Sequence, residues 1–245
     1  MFFFFRKKKI VVDAFTCMYT AHEYFPIQNA IKTVPDWWKS LPKEYTTATD
    51  LGISLNLPTM KKCDGFLDLF NRGFILPLWS DVIINTQDNG YYQFQWANVR
   101  TPNIMTHDVR QYGSVISNNF THMKIISPWV LREKTGVKFV WMNPSWNRLF
   151  SDNLNILPGV MDFKYQQDTN INVLIEKKNH TYKLSAGEAM AHIIPLTDDK
   201  VEIKNHLISE QEYQQKIAHF MFTSKYKRMK QIIDGRESKC PFGFK

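Results

Sequence analysis

"FILPLWSDVIINTQDNGYYQFQWANV", residues 74–99, decides how the rest of the chain is read. Two apolar runs flank Gln87-Asp88-Asn89-Gly90, and Asn-Gly is the dipeptide that tight hairpins favour because it tolerates positive φ. Beyond the turn, Tyr92, Phe94 and Trp96 alternate with Gln93 and Gln95. A strand of that pattern turns its aromatics to one face and its amides to the other. The spacing therefore predicts a hairpin with one half-buried face.

Strands continue on the C-terminal side. "HMKIISPWVLRE" and "VKFVWM" are joined by a turn at Lys134, Thr135 and Gly136, and "LPGVMDFKYQQDTNINVLI" (157–175), "TYKL" and "EAMAHIIPL" follow. Short strands separated by regular turn signals imply a β-barrel or a two-sheet β-sandwich. Between Asn98 and Asn119 apolar periodicity fails, and a long loop is expected there. Towards the N-terminus "KIVVDAFT" reads as a strand. "PIQNAIKTV", "PDWWKSLP" and "CDGFLDLFNRG" read as short helices, with a Thr-rich connector at 46–50. Ser209 with Glu212 forms a capping box, and apolar residues at three- and four-residue steps reach Ile233 before Gly235 supplies a stop. One helix of about 25 residues is expected. The fold class is thus mainly β, with short N-terminal helices and one long C-terminal helix. Residues 1–208 are expected to form a β-rich domain with a helical segment at 24–73, and 209–245 a helix and basic tail.

At 245 residues, 44% of them hydrophobic and 14% aromatic, the chain can bury a large core, which excludes a disordered protein. The net charge of +8 is concentrated in Arg6–Lys9 and in Lys216, Lys225, Lys227, Arg228 and Lys230. Two terminal clusters without interleaved aromatics on a shared face argue against nucleic acid as a partner. Cys17, Cys63 and Cys240 have neither the number nor the spacing of a disulfide framework or a thiolate zinc site. "MFFFFRKKK" reverses the charge order of a secretory signal, and no apolar run reaches the length of a transmembrane segment. A cytoplasmic protein is expected, its Phe run packed on the core or on a neighbouring subunit rather than anchored to a membrane surface.

Candidate chemistry falls into three groups. His107, Asp108, Arg110 and Gln111 form the densest polar cluster of the 98–119 segment and could grip a small anionic ligand through the Arg110 fork. Glu188 and His192 share a face if 188–194 is one strand, with Met190 between them, so His192 is a candidate ligand residue beside its reading as a core or rim histidine. No His stands two residues before an acid, which removes the usual facial triad, so no metal and no cofactor are expected.

The third group rests on a resemblance. "GVMDFKY", Gly159 to Tyr165, resembles the motif of the deoxyuridine triphosphatase (dUTPase) and dCTP deaminase barrel, in which a Gly-Val-x-Asp strand delivers a water-activating Asp and a Tyr stacks on the base. "AGEAMAHIIPL" is similar to the strand that closes that barrel. The resemblance implies Asp162 as base, Tyr165 as stacking platform and Ser145, in "NPSWNR", at the phosphate element. The Arg-Ser-Ser of that element is absent, as is the Gly-rich C-terminal arm. "DAFT", "PDWWKSLPK", "GFLDLFNRGFILPLWSD", "SPWVLREKTGVKFVWMNPSWN", "LPGVMDFKY" and "AHIIPL" together resemble an uncharacterised bacteriophage family of cyanophage type. That resemblance implies a phage-infected host cytoplasm and assigns no reaction. The expected function is a phage-encoded, non-catalytic β-barrel protein that binds a ligand or self-associates. A nucleotide-hydrolysing or deaminase-like enzyme is the first alternative and a virion component the second.

Overall fold

The computed structural model describes residues 9–97, 101, 103–149, 154–221 and 230–235. Phe2–Phe5, Arg6–Lys8, Lys225, Lys227, Arg228 and Cys240 lie outside them, so the expectations placed on those residues are not addressed by the structure. The chain runs β1 (Lys9–Thr16), α1 (Tyr19–Glu23), β2 (Gln28–Asn29), α2 (Asp36–Ser40), β3 (Glu44–Ala48), β4 (Ser54–Pro58) and α3 (Asp64–Arg72). It continues with β5 (Phe74–Pro77), β6 (Val82–Thr86), β7 (Tyr92–Trp96), β8 (Ile104–Thr106), α4 (Gly113–Ser117), β9 (Phe120–Ile125), β10 (Val130–Arg132) and β11 (Phe139–Met142). The last part holds β12 (Asn155–Ile156), β13 (Gly159–Met161), β14 (Ile171–Glu176), β15 (His180–Leu184), β16 (Ala189–Pro195), β17 (Lys200–Leu207) and α5 (Glu210–Met221).

The mainly-β class holds, in the sandwich-like of its two expected forms. The strands make several open sheets, ordered β10-β1-β17, β13-β11-β16-β5-β2, β12-β14-β9-β8 and β15-β6-β7, with β3-β4 a separate pair, and none closes into a barrel among the described residues. Ile10, Val12 and Ala14 alternate inward along β1, as a half-buried strand requires. β1 pairs antiparallel with β10 and, over its whole length, parallel with β17, from Lys9↔Lys200 to Thr16↔Leu207. One large core joins the four larger sheets through Trp79, Trp129, Phe139 and Phe163. A smaller one seats Phe66 and Phe70 of α3 on Ile75 and Ala189, with Trp37, Trp38 and Trp146 packed around them.

The deciding hairpin is present. β6 and β7 pair from Val82↔Trp96 to Thr86↔Tyr92, the Gln87 N–H donates to the Tyr91 carbonyl, and Gly90 takes φ +83°. Three expectations need correction. The segment 98–119 is not one loop, because buried Ile104 draws 104–106 onto β9 (Ile104↔Ile125) and helical turns form at 109–111 and in α4. The connector at 46–50 belongs to an antiparallel hairpin, β3–β4. The stretch 157–175 is two strands broken by a turn at Asp162 rather than one crossing strand. At the C-terminus the capping box forms as read, Ser209 N–H to Glu212 Oε2 at 3.0 Å and Glu212 N–H to Ser209 Oγ at 3.2 Å. The chain is helical over 210–221 and over 230–235, and Gly235, at which a stop was expected, is the last of the described residues.

Candidate functional site

Asp162 closes the turn after β13. Its carbonyl accepts the N–H of Tyr165 (3.0 Å) and of Gln166 (2.8 Å), and its buried carboxylate accepts the Lys164 N–H at 3.3 Å. This is the self-bonding that suits Asp to turns. Tyr165 is buried beneath the helical segment 230–235, its phenol donating to Asp234 at 2.7 Å, with the amines of Lys164 and Lys230 5.4 and 5.9 Å from its ring centre. The bond to Asp234 is the main cause that raises the phenol above its ordinary pKa. Ser145 is exposed and accepts a hydrogen bond from the Asn143 amide at 3.3 Å. Register separates it from Asp162. Met161 lies opposite Phe139 at the start of β11, whereas Ser145 follows the end of that strand.

His192 is buried on β16 against Phe70, their ring centres 5.6 Å apart, and burial pushes its pKa down to about 4. The expected shared face with Glu188 and Met190 does not form. A bulge between Ala189 and Ala191 breaks the two-residue alternation, so Met190 enters the large core while His192 meets α3. Glu188 instead pairs with the buried Arg148 guanidinium at 3.2 Å and accepts the Ser185 N–H.

The polar cluster beyond β8 gathers several polar and aromatic partners, one of them from β14. The His107 N–H donates to the His122 carbonyl at 3.1 Å, continuing the β8–β9 pairing and fixing where the imidazole leaves the sheet. His107 Nδ1 lies 2.7 Å from Gln111 Oε1, and its Nε2 lies 3.3 Å from Asn172 Oδ1 on β14. Two amide oxygens facing both ring nitrogens suit a doubly protonated ring, or a neutral ring with one amide turned. The His122 ring stacks on His107 at 4.3 Å and meets the edge of Tyr112 at 5.4 Å. Burial first, and then the charge of His107, lowers the pKa of His122 and favours its neutral form.

Asp108 caps the 109–111 turn by accepting the Arg110 N–H at 2.9 Å, and the same carboxylate takes Nε and Nη2 of Arg110 at 2.9 and 2.6 Å. This pairing raises the pKa of Arg110 and lowers that of Asp108. The Arg110 side chain is 87% exposed. With two of its five donors committed to Asp108, the guanidinium is aimed rather than neutralised, and its remaining donors are open to solvent.

Other features lie apart from this corner. A shallow, open depression of about 500 Å³ is lined by Asn85 and residues Tyr92 to Gln95, none of them charged and none among the candidate site residues. Among the described residues no three His, Cys, Asp or Glu side chains gather to hold a metal ion, and no helix is long and apolar enough to cross a membrane. His122 and Asn172 were missed because they lie in other stretches of the chain, and only the β8–β9–β14 pairing joins them to His107. Tyr112, next to Gln111 in the sequence, was passed over because the cluster was read for its hydrogen-bonding groups and not for its rings.

No protein-family model and no curated protein matches the chain. Among solved structures it is similar to a point variant of the dUTPase of phage phi11 of S. aureus, at 12% identity over 57% of this chain and 85% of that one, with a TM-score of 0.30. The dUTPase of Staphylococcus bacteriophage 80alpha aligns at 12% identity over 68% of this chain and 97% of that one, also with a TM-score of 0.30. At that score the likeness identifies neither a shared site nor a shared activity.

Proposed function

We propose that the protein is a non-catalytic, phage-encoded binding protein of the host cytoplasm that self-associates, and that it takes a small anionic ligand at the corner formed by β8, β9 and β14. The observation that carries the reading is the exposed Arg110 fork, oriented by Asp108, the chain neighbour of His107, whose ring Gln111 and Asn172 hold from two sides. Arg110 would hold a phosphate or carboxylate through its remaining donors, with His107 adding a second donor when protonated. The His107–His122–Tyr112 rings would carry a flat group attached to that anion, as a nucleotide does.

The test is titration with inorganic phosphate and with a panel of deoxynucleotides, followed by the imidazole resonances of His107 and His122 and by calorimetry. Arg110→Ala is expected to weaken binding about 10- to 100-fold, the loss of one charge-assisted pair. Saturation without any response at these histidines would remove the proposal. Release of pyrophosphate or ammonia from a deoxynucleotide, abolished in Asp162→Asn, would replace it with the enzyme reading of Asp162, Tyr165 and Ser145. Presence of the chain in purified particles would favour a virion component.

A further inference from the structure

We infer that the β3–β4 hairpin is the self-association surface of this protein and that its occupant is the same hairpin of a second copy. The inference deepens the self-association of the proposed reading and does not depend on the ligand corner.

Register sorts the hairpin into two unlike faces. Tyr45 stands opposite Leu57 and Thr47 opposite Leu55, and Ile53 precedes Leu55 by two residues, so these side chains share one face. Glu44, Thr46, Ala48, Ser54 and Asn56 take the other, where the Thr46 hydroxyl donates to the Asn56 amide oxygen at 2.8 Å. Such an amphipathic ribbon ordinarily lays its apolar face on a core. Here that face is open: Tyr45 is 50% exposed, Ile53 56%, Leu55 41% and Leu57 37%, and Leu51 at the tip is 86% exposed. The base of the hairpin is nevertheless held in place. The Lys61 amine donates to the carbonyls of Lys39 and Leu41, and the Thr59 hydroxyl donates to the Pro42 carbonyl. A two-stranded ribbon in water is marginal until a third layer covers it.

Area and charge select a second copy as that layer. At about 200 Å² for a large side chain, the exposed parts of the four face residues and of Leu51 at the tip come to at most roughly 550 Å² per copy, so a pair that covers them fully buries about 1,100 Å², close to the ~1,000 Å² that a specific interface clears. The chain carries +8 overall, yet residues 36–72 hold five Asp or Glu and five Lys or Arg, so two copies meet here without the repulsion their net charge would impose elsewhere. The apolar face itself bears no charged side chain, which gives an acidic or basic partner nothing to recognise. An isologous pair, one face stacked on its two-fold mate about 10 Å away, satisfies both copies with a single contact.

Light scattering and sedimentation equilibrium of the full chain, at micromolar concentration, test this. The expected result is a mass near twice 28.9 kDa. Leu55→Asp places like charges across the two-fold contact and is expected to weaken the dimer by at least about 100-fold. Ser54→Glu, on the polar face, is expected to leave it unchanged. Leu57→Lys, read the same way, stands in if Leu55→Asp fails to give a native near-ultraviolet spectrum. A wild-type dimer that survives both apolar-face variants, or that dissociates equally in Ser54→Glu, overturns the hairpin as the interface and leaves self-association standing. A strictly monomeric wild-type chain overturns both.

Discussion

Gly73 and His192 constrain each other closely. A methyl on Gly73 would sit 2.1 Å from Nε2 of His192 and 2.8 Å from the Leu69 carbonyl oxygen. Neither neighbour can retreat, since His192 is buried and Leu69 O is backbone. Gly73→Ala is therefore expected to destabilise the fold by about 1–3 kcal/mol or more, read from urea unfolding. His192 also gives stability a pH dependence. The unfolded chain takes up this proton near the ordinary histidine value of 6.5, and the folded chain only near 4. The contribution is present in full above pH 6.5 and is lost as pH falls towards 4, about 3 kcal/mol in all. Removing the ring in His192→Leu should flatten that part of the stability profile, and an unchanged slope would show that His192 titrates normally in the fold. The sequence offered Gly73 as the last residue of the helical stretch "CDGFLDLFNRG" and His192 as half of a ligand pair. Their contact is invisible there, because α3 and β16 are more than a hundred residues apart.

Among the elements, the turn between β10 and β11 shows how far local chemistry is legible. Lys134-Thr135-Gly136 read as a turn, and Gly136 takes φ +85°. What stabilises it is Glu133, almost wholly buried, whose carboxylate accepts the N–H groups of Thr135, Gly136 and Val137 and the Thr135 hydroxyl. Glu133→Ala would leave these donors without that acceptor and is expected to cost about 3 kcal/mol, with Glu133→Gln milder because it keeps one oxygen; thermal unfolding of the pair checks this. The bulge in β16 is the opposite case. "EAMAHIIPL" alternates well enough to be read as a strand, but its second face change comes from pairing with β5, not from its own residues. The β3–β4 hairpin had a usable signal in Ile53, Leu55 and Leu57. The preceding Thr run drew the reading towards a connector.

At the scale of the whole molecule, the organising contact is the parallel pairing of β1 with β17, strands separated by nearly the full described chain. β1 acquires its second neighbouring strand only when Lys200–Leu207 is present, and such non-local pairing is slow to find in folding. β17 carries Val201, Ile203 and Leu207 on one parity, but Asn205 interrupts the series and the strand's lysines, glutamate and histidine mask the alternation. A dimer built on the β3–β4 hairpin would leave this pairing untouched, since the hairpin belongs to no other sheet. Its formation should therefore add to stability without altering the fold.

The amino-acid sequence by itself determined the β class, the Asn89-Gly90 hairpin, the short helices at 36–40 and 64–72 and the Ser209–Glu212 cap, because each is governed by residues within one turn or one strand length of each other, whereas Gln28–Asn29 of "PIQNAIKTV", read as helical, pairs with β5 as a strand. It also placed His107, Asp108, Arg110 and Gln111 together, since they are neighbours in the chain. Only the tertiary structure decided that His122 and Asn172 complete that corner, that Asp162 and Ser145 fall at opposite ends of β11, that Tyr165 lies under the C-terminal helix, and that one amphipathic hairpin is left uncovered. The reason is physical: periodicity states which side chains share a face, but the partner that covers the face is chosen by hydrogen-bond pairing and packing between segments distant in the chain.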